Sequence, residues 1–142
     1  MNMIEELTVT ASLESLGDIR QFIRKVSSDA GIEKNSSYKL QLAIDEIATN
    51  IISHGYEEAG LSGDILLKSE INEKNLIITI SDTGKEFDPR NATLPTEEDL
   101  IQSLEDRPIG GLGIFLALRG VDAFDYNRDG DRNNNIFIMN RP

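Results

Sequence analysis

The sequence has no cysteine and comparatively few basic residues, and each shortage excludes a class of function. Without cysteine, the chain forms no disulfide, offers no thiol nucleophile and cannot hold zinc through thiolates. Lysine and arginine together number 14 against 25 aspartates and glutamates, which gives a formal net charge of −11. An acidic surface repels nucleic-acid phosphates and anionic lipids. We therefore expect no direct nucleic-acid partner and no membrane partner.

Long apolar runs, internal repeats and flexible linkers are also missing. The apolar runs are only a few residues long, whereas a membrane-spanning helix needs about 18. Residues 1–6 lack the basic and apolar regions of a secretory signal. The 39% hydrophobic and 27% charged fractions are ordinary for a globular protein, and a chain of 142 residues is close to the usual size of one domain. We expect a single cytoplasmic domain over residues 1–142.

Hydrophobic periodicity predicts both strands and helices. The predicted elements are a strand at residues 7–11, a helix from a cap at Ser12 to Gly31, a helix from Ser36 or Ser37 to Gly55, paired strands at 64–70 and 76–82, short helices at 97–104 and 114–119, and strands at 121–126 and 136–140 around a turn-rich segment. This order predicts the α+β class. We expect a two-layer sandwich in which helices cover one face of a mixed, largely antiparallel sheet.

Glu46 and Asn50 lie one turn apart at the edge of the apolar stripe of the second predicted helix. A carboxylate and a carboxamide in this position can face a cleft together. They would supply a general base and a neutral oxygen ligand for a hard cation such as Mg²⁺. The alternative is a solvated helix face, because polar pairs at this spacing are common.

Asp82 and Gly84 follow an apolar strand, where the chain turns into a loop. An ordinary turn is one interpretation, because aspartate and glycine are frequent turn residues. The functional interpretation is a ligand pocket. There Asp82 would accept a hydrogen bond from a planar amine, and Gly84 would let the ligand approach the backbone.

A glycine cluster precedes the last predicted helix; its members are Gly110, Gly111, Leu112 and Gly113. Three glycines in four positions are unfavourable for helix stability. They are expected where backbone amides must surround an anion at the positive end of the helix. A flexible hinge is the alternative. The dinucleotide fingerprint and the P-loop do not fit, because Leu116 and Thr79 stand where those motifs need glycine.

Taken in order, the three segments resemble the nucleotide-binding boxes of GHKL-type ATP-binding domains, found in gyrase-like ATPases and histidine kinases. Residues 46–55 resemble the N-box, and Asp82-Thr83-Gly84 with 87–89 resembles the first glycine box. Residues 110–116 resemble the second. The His54-Gly55-Tyr56 ending and Phe87-Asp88-Pro89 are similar to those of bacterial anti-sigma factor serine kinases, and the resemblance covers about residues 7–139.

The resemblance implies a role for each matching side chain. Glu46 would be the general base, and Asn50 would hold the Mg²⁺ that bridges the phosphates of ATP. Asp82 would bind the adenine amino group, and Gly84 would line the base pocket.

It also implies that the phosphates bind to backbone amides at Gly110, Gly111, Leu112 and Gly113. A lid would cover them at about residues 88–109, where Arg107 is the best candidate for a contact with the γ-phosphate. Members typically phosphorylate a serine of an anti-anti-sigma (STAS-type) protein and sequester a sigma factor, often as homodimers. Arg20 would face these partners.

One residue departs from the pattern. Glu86 stands where many GHKL proteins have a second glycine, which leaves nucleotide binding in place but makes turnover an open question. A nucleotide-binding module that sequesters a sigma factor or another regulator without kinase turnover is therefore an alternative function. A scaffold without a nucleotide site is a third. A histidine kinase is not expected, because the chain has no helical hairpin with a phosphoacceptor histidine.

Overall fold

The computed structural model describes residues 2–91 and 111–142. The helix predicted at residues 97–104, most of the predicted lid, Arg107 and Gly110 lie outside the described residues. The strands are β1 (Met3–Thr10), β2 (Asp64–Ile71), β3 (Asn75–Asp82), β4 (Ala123–Asp129) and β5 (Arg132–Asn140). The helices are α1 (Leu16–Asp29), α2 (Lys34–Asn50), a π-helical turn (Ile51–Glu57) and α3 (Gly111–Arg119), with short 3-10 turns at Leu13–Ser15 and Pro89–Asn91.

The five strands form one sheet in the order β1-β2-β3-β5-β4. Each neighbouring pair of these strands is antiparallel, so the expected largely antiparallel sheet is confirmed, and the described strands include no parallel pair. Alternate residues of β2 and β3 are buried, as expected of strands that present one face to a core. The predicted α+β class is confirmed.

The core lies between the helices and one face of the sheet. Its fully buried side chains come from α1, from α2 and from the sheet. They include Ile19 and Ile23 of α1; Leu40, Ile44 and Ile47 of α2; and Leu67, Ile78 and Phe137 of the sheet. The apolar residues of each helix recur every three or four positions, so one stripe faces the sheet. Helix α2 packs against both α1 and α3 and is the central helix of the layer.

The second helix does not end at Gly55 as the sequence suggested. The helix begins at Lys34, and after Asn50 the chain continues as the π-helical turn to Glu57. The amide of Glu58 donates to the carbonyl of Ser53 at 2.9 Å, which closes the wider turn. Gly60, with φ +69°, is the glycine that turns the chain away.

The turn-rich segment predicted between the last two strands is also shorter than expected. Strand β4 runs to Asp129, β5 begins at Arg132, and Gly130 with φ +63° supplies the tight turn between them. Residues 132–135 are therefore part of β5. Within the described ranges, no helix combines the length and apolar character that a membrane crossing requires.

Candidate functional site

A cavity of about 440 Å³ opens between the C-terminal end of α2 and the adjoining ends of β3 and β5. This volume is typical of small-molecule sites. The walls combine apolar groups, including Phe87 and Pro89, with several polar side chains. The polar residues lining it are Asn50, His54, Glu58, Asp82, Lys85, Glu86, Asn133 and Asn135. We call this space the main cavity.

Asp82, at the end of β3, is only 2% exposed in the wall of the main cavity. Its Oδ1 accepts hydrogen bonds from the backbone amide of Gly84 at 2.9 Å and from Nδ2 of Asn133 at 3.0 Å. Its Oδ2 is buried and has no hydrogen-bond partner among the described residues. Burial raises the pKa of Asp82, and the hydrogen bonds from Asn133 and Gly84 oppose that rise. The site therefore contains a buried acceptor that a ligand with an N–H group would satisfy.

Gly84 lets the β3 loop lie directly against the π-helical turn. A Cβ at this position would lie 2.9 Å from the carbonyl oxygen of Gly55 and 3.1 Å from the ring of Tyr56. The amide of Lys85 donates to the same Gly55 carbonyl at 3.0 Å. The hydroxyl of Tyr56 in turn accepts from the amide of Thr83 at 2.8 Å. These contacts fix the loop that follows Asp82.

Asn50 lines the main cavity from the last turn of α2. Its Nδ2 donates to the carbonyl of Glu46 at 3.2 Å, so the amide group is engaged with its own helix and Oδ1 is the atom suited to a cation. The described residues contain no group of three or more histidine, cysteine, aspartate or glutamate side chains that could hold a metal. A donor set of one carboxamide fits Mg²⁺, which binds through few protein ligands together with water and substrate phosphates.

Glu46 does not line the main cavity but a neighbouring space of about 250 Å³ between α2 and α3, which we call the side cavity. The side cavity is also lined by Lys39, Leu42, Gly113 and Leu116, among others. Burial raises the pKa of Glu46, and the negative charge of Asp45 raises it further. Thus α2 presents Asn50 to one cavity and Glu46 to the other.

Gly113 lies in direct contact with Glu46. A Cβ built on Gly113 would lie 2.8 Å from Cδ of Glu46 and would also collide with the carboxylate oxygens. Of the other residues in the glycine cluster, Gly111 and Leu112 form the start of α3. The N-terminal end of α3 is therefore brought next to the same turn of α2 that bears Glu46.

Arg20 lies on α1, and its guanidinium makes two hydrogen bonds of 2.9 Å to the carboxylate of Asp45 on α2. The Arg20 side chain is 45% exposed. Arg20 therefore lies on the surface of the helical layer, paired with α2, and it is not among the described residues that line either cavity.

The sequence interpretation missed Asn133 and Asn135, which are both buried in the wall of the main cavity. The sequence predicts a turn-rich segment at residues 128–135, and asparagine is a poor strand former. A signal was present, since positions 133, 135, 137 and 139 of an extended strand share one face. It also missed His54 as a cavity residue; His54 Nδ1 lies 2.6 Å from a carboxylate oxygen of Glu58.

The two-layer fold and its cavity between α2 and the sheet define an α+β domain with a cavity of the size that small-molecule sites have. Residues 9–139 match the histidine kinase-like ATPase domain family, and the protein belongs to this family. The family resemblance inferred from the three boxes is confirmed.

Two of the relatives that the chain resembles are named as serine-protein kinases. The chain is 28% identical over 127 residues to the serine-protein kinase RsbW of Halalkalibacterium halodurans, covering 87% of this chain and 75% of that protein. It is 30% identical over 125 residues to RsbW of Bacillus thuringiensis, covering 87% and 77%.

Solved structures show the same fold at low sequence identity. The RsbU and RsbW domains of Rv1364c from Mycobacterium tuberculosis match with a TM-score of 0.66 and 15% identity over 99% of this chain, which spans 33% of that chain. The histidine kinase domain of a blue-light activated histidine kinase from Erythrobacter litoralis matches with a TM-score of 0.53 and 14% identity, over 89% and 59%. These likenesses confirm the predicted histidine kinase-like ATPase fold.

Proposed function

We propose that this protein is an ATP- and Mg²⁺-dependent serine-protein kinase that acts as an anti-sigma factor in the cytoplasm. Its substrate is an anti-anti-sigma (STAS-type) protein, and it sequesters a sigma factor. Membership of the ATPase family and the names of the relatives support the class of activity. The structural observation on which the proposal rests is the buried Oδ2 of Asp82 in the cavity wall, which has no hydrogen-bond partner in the described part of the chain.

Adenine fits the requirements of the main cavity. Leaving a buried acceptor without a donor is unfavourable by about 1–3 kcal/mol, and an exocyclic amino group would supply the donor to Asp82. Phe87 and Pro89 offer apolar surface to the faces of a planar ring. Because Gly84 has no side chain, the loop that follows β3 lies close to the π-helical turn and can line the base.

Glu46 is suited to accept the proton of a serine hydroxyl. Burial raises its pKa, so the carboxylate is a stronger base than an exposed glutamate. Because Glu46 faces the side cavity, the protein substrate approaches from that side while the nucleotide occupies the main cavity. The serine oxygen then forms a bond to the γ-phosphorus, the bond to ADP breaks, and the serine proton moves to Glu46. Mg²⁺, when bound, neutralises charge on the transferred phosphoryl group.

We assign Arg20 to the partner-facing surface, because its side chain is 45% exposed on α1 and is paired with Asp45 of α2. An exposed guanidinium on this surface would help to bind an acidic group of the protein substrate. We further propose that the kinase is a homodimer, which size-exclusion chromatography with light scattering would test.

The function is tested by transfer of radiolabelled phosphate from ATP to a co-encoded anti-anti-sigma protein. We expect Glu46→Gln to lower the rate by about 100-fold or more, since general bases typically contribute that much, while Mg-ATP affinity changes little. The matched control is Glu57→Gln, an exposed glutamate in the π-helical turn, which should transfer at the wild-type rate. Unchanged transfer by Glu46→Gln would remove Glu46 from the role of base.

A nucleotide-binding module without kinase turnover remains the second candidate function, and Glu86 is the observation that favours it. Glu86 places a carboxylate in the lining of the main cavity, with Arg128 as a distant partner at 3.9 Å. Calorimetric binding of Mg-ATP without phosphorylation of any anti-anti-sigma protein would support this alternative. Restored transfer in Glu86→Gly would then identify Glu86 as the cause.

A further inference from the structure

We propose that Asn133 is the positioning residue that holds Asp82 in the orientation required to recognise the 6-amino group of a purine. This inference rests on the proposed nucleotide site and assigns the base specificity of that site to a second residue. Asn133 lies opposite Asp82 in the β3–β5 pair and is 2% exposed.

The amide nitrogen of Asn133 connects three acceptors on the loop that borders the cavity. Nδ2 lies 3.0 Å from Oδ1 of Asp82, 3.2 Å from the carbonyl of Gly84 and 3.3 Å from the carbonyl of Lys85. Because this group has two hydrogens, they are shared among the three oxygens. A single side chain of β5 therefore fixes both the carboxylate and the backbone that follows it.

The orientation of the Asn133 amide is itself determined by its neighbours. Its Oδ1 accepts from the hydroxyl of Tyr126 and from Nη1 of Arg128, the latter at 2.9 Å. A flipped amide would place its NH₂ group against these two donors and its oxygen against three acceptors. The network therefore allows one orientation, in which the donor faces Asp82.

The consequence is that the two oxygens of Asp82 have different roles. Asn133 and the Gly84 amide engage Oδ1, so the carboxylate cannot rotate without losing both hydrogen bonds. Only Oδ2 is then left to accept from a ligand. The hydrogen bond from Asn133 also lowers the pKa of Asp82 against the effect of burial, which favours the ionised acceptor.

The experiment compares the affinities of Mg-ATP and of the Mg-triphosphate of purine riboside, which lacks the 6-amino group. We expect the wild type to bind ATP about 10- to 100-fold more tightly, as one hydrogen bond to a buried carboxylate provides. In Asn133→Ala, ATP affinity should fall until the two ligands bind within about threefold, while the affinity for the analogue stays near its wild-type value.

The matched control is Asn134→Ala. Asn134 is the next residue of β5, its side chain bonds to Ser81 and Asn127, and it does not line the cavity. The Asn134→Ala variant should keep the full preference for ATP over the purine riboside triphosphate. Tyr126→Phe, which removes a donor to Asn133 without touching the cavity lining, should lower the preference partly, and it tests the inference even if Asn133→Ala does not fold.

The outcomes separate this inference from the proposed function. A wild type that prefers ATP, together with variants at positions 133 and 126 that retain the preference, would overturn the role of Asn133 alone. If Asn133→Ala lowers the affinities for both ligands by the same factor, the role of Asn133 is also overturned, because that result indicates general damage to the site. A wild type that binds both ligands equally would overturn the adenine contact of Asp82 itself.

Discussion

Asp82 is a charged residue in the wall of a cavity, and its burial opposes the stability of the protein without ligand. Burial raises the pKa of this carboxyl, which means that the folded state disfavours the ionised form. We expect Asp82→Asn to increase the free energy of unfolding by about 0.5–2 kcal/mol in the absence of nucleotide, as is common when a functional group is neutralised. The same change should abolish the preference for the 6-amino group. Urea denaturation and nucleotide titration of the two proteins measure both effects.

The difference in free energy of unfolding between Asp82→Asn and the wild type should depend on pH with a definite sign. At a pH below the ordinary pKa of aspartate, Asp82 is protonated in both folded and unfolded states and contributes no difference. As the pH rises through the interval up to the raised pKa, the unfolded state loses its proton first, and wild-type stability falls. The advantage of Asp82→Asn should therefore be smallest below the ordinary pKa of aspartate and should grow as the pH rises from there through the raised pKa. A larger advantage at the acid end would contradict the assignment.

At the scale of the elements, the sequence predicted the order of the described helices and strands but not all of their ends. Periodicity located α2 because Leu40, Ile44 and Ile47 repeat with helical spacing and are all buried. The prediction that this helix ends at Gly55 is wrong, because α2 ends at Asn50 and a π-helical turn follows. A Cβ at position 55 would lie 3.9 Å from its nearest neighbours, in Ile51 and Lys85, so the close approach to the Gly55 backbone depends on Gly84 of the β3 loop, where a Cβ would lie 2.9 Å from the Gly55 carbonyl oxygen. A local pattern does not contain this long-range contact.

The start of β5 was missed for a related physical reason. Intrinsic propensity assigns Asn133, Asn134 and Asn135 to a turn. In the structure these residues pair with β3 and β4, and cross-strand hydrogen bonding outweighs the propensity. The resemblance named Asp82 as the base-recognising residue. The asparagines around it could not be found without knowing which strand lies beside β3.

The contact between α3 and α2 depends on the absence of a side chain at Gly113. We expect Gly113→Ala to displace the Glu46 carboxylate, because the added Cβ would lie 2.8 Å from Cδ of Glu46. The end of this side chain can move, so stability should change by less than about 1 kcal/mol while phosphate transfer falls about 10-fold or more, as expected when a catalytic group is misplaced by about 1 Å. Single-turnover kinetics with saturating Mg-ATP measure the effect.

Gly17→Ala is the control for that variant. Gly17 lies in α1, and a Cβ there would have no neighbour within 4 Å among residues 2–91 and 111–142, so the substitution should leave transfer unchanged. If Gly113→Ala transfers phosphate at the wild-type rate, the contact with Glu46 does not determine the position of the base.

At the scale of the whole molecule, the negative charge of the protein should make nucleotide binding depend on Mg²⁺. The formal net charge is −11, and a triphosphate adds further negative charge. In the described part of the main cavity, Lys85 is the only lysine or arginine, against the acidic Glu58, Asp82 and Glu86. Electrostatic repulsion would weaken the binding of free ATP, so the affinity should depend strongly on Mg²⁺.

Binding of Mg-ATP should also stabilise the entire fold, because the main cavity lies between α2, β3 and β5, which all contribute to the one core. A ligand at 100 times its dissociation constant adds about 2.7 kcal/mol to the free energy of unfolding. For a domain of this size, that corresponds to a rise in Tm of about 5–10 °C. Chelation of Mg²⁺ should remove most of the rise, and Asp82→Asn should reduce it at the same ATP concentration. A thermal melt that does not move with saturating Mg-ATP would favour the scaffold without a nucleotide site over both proposed functions.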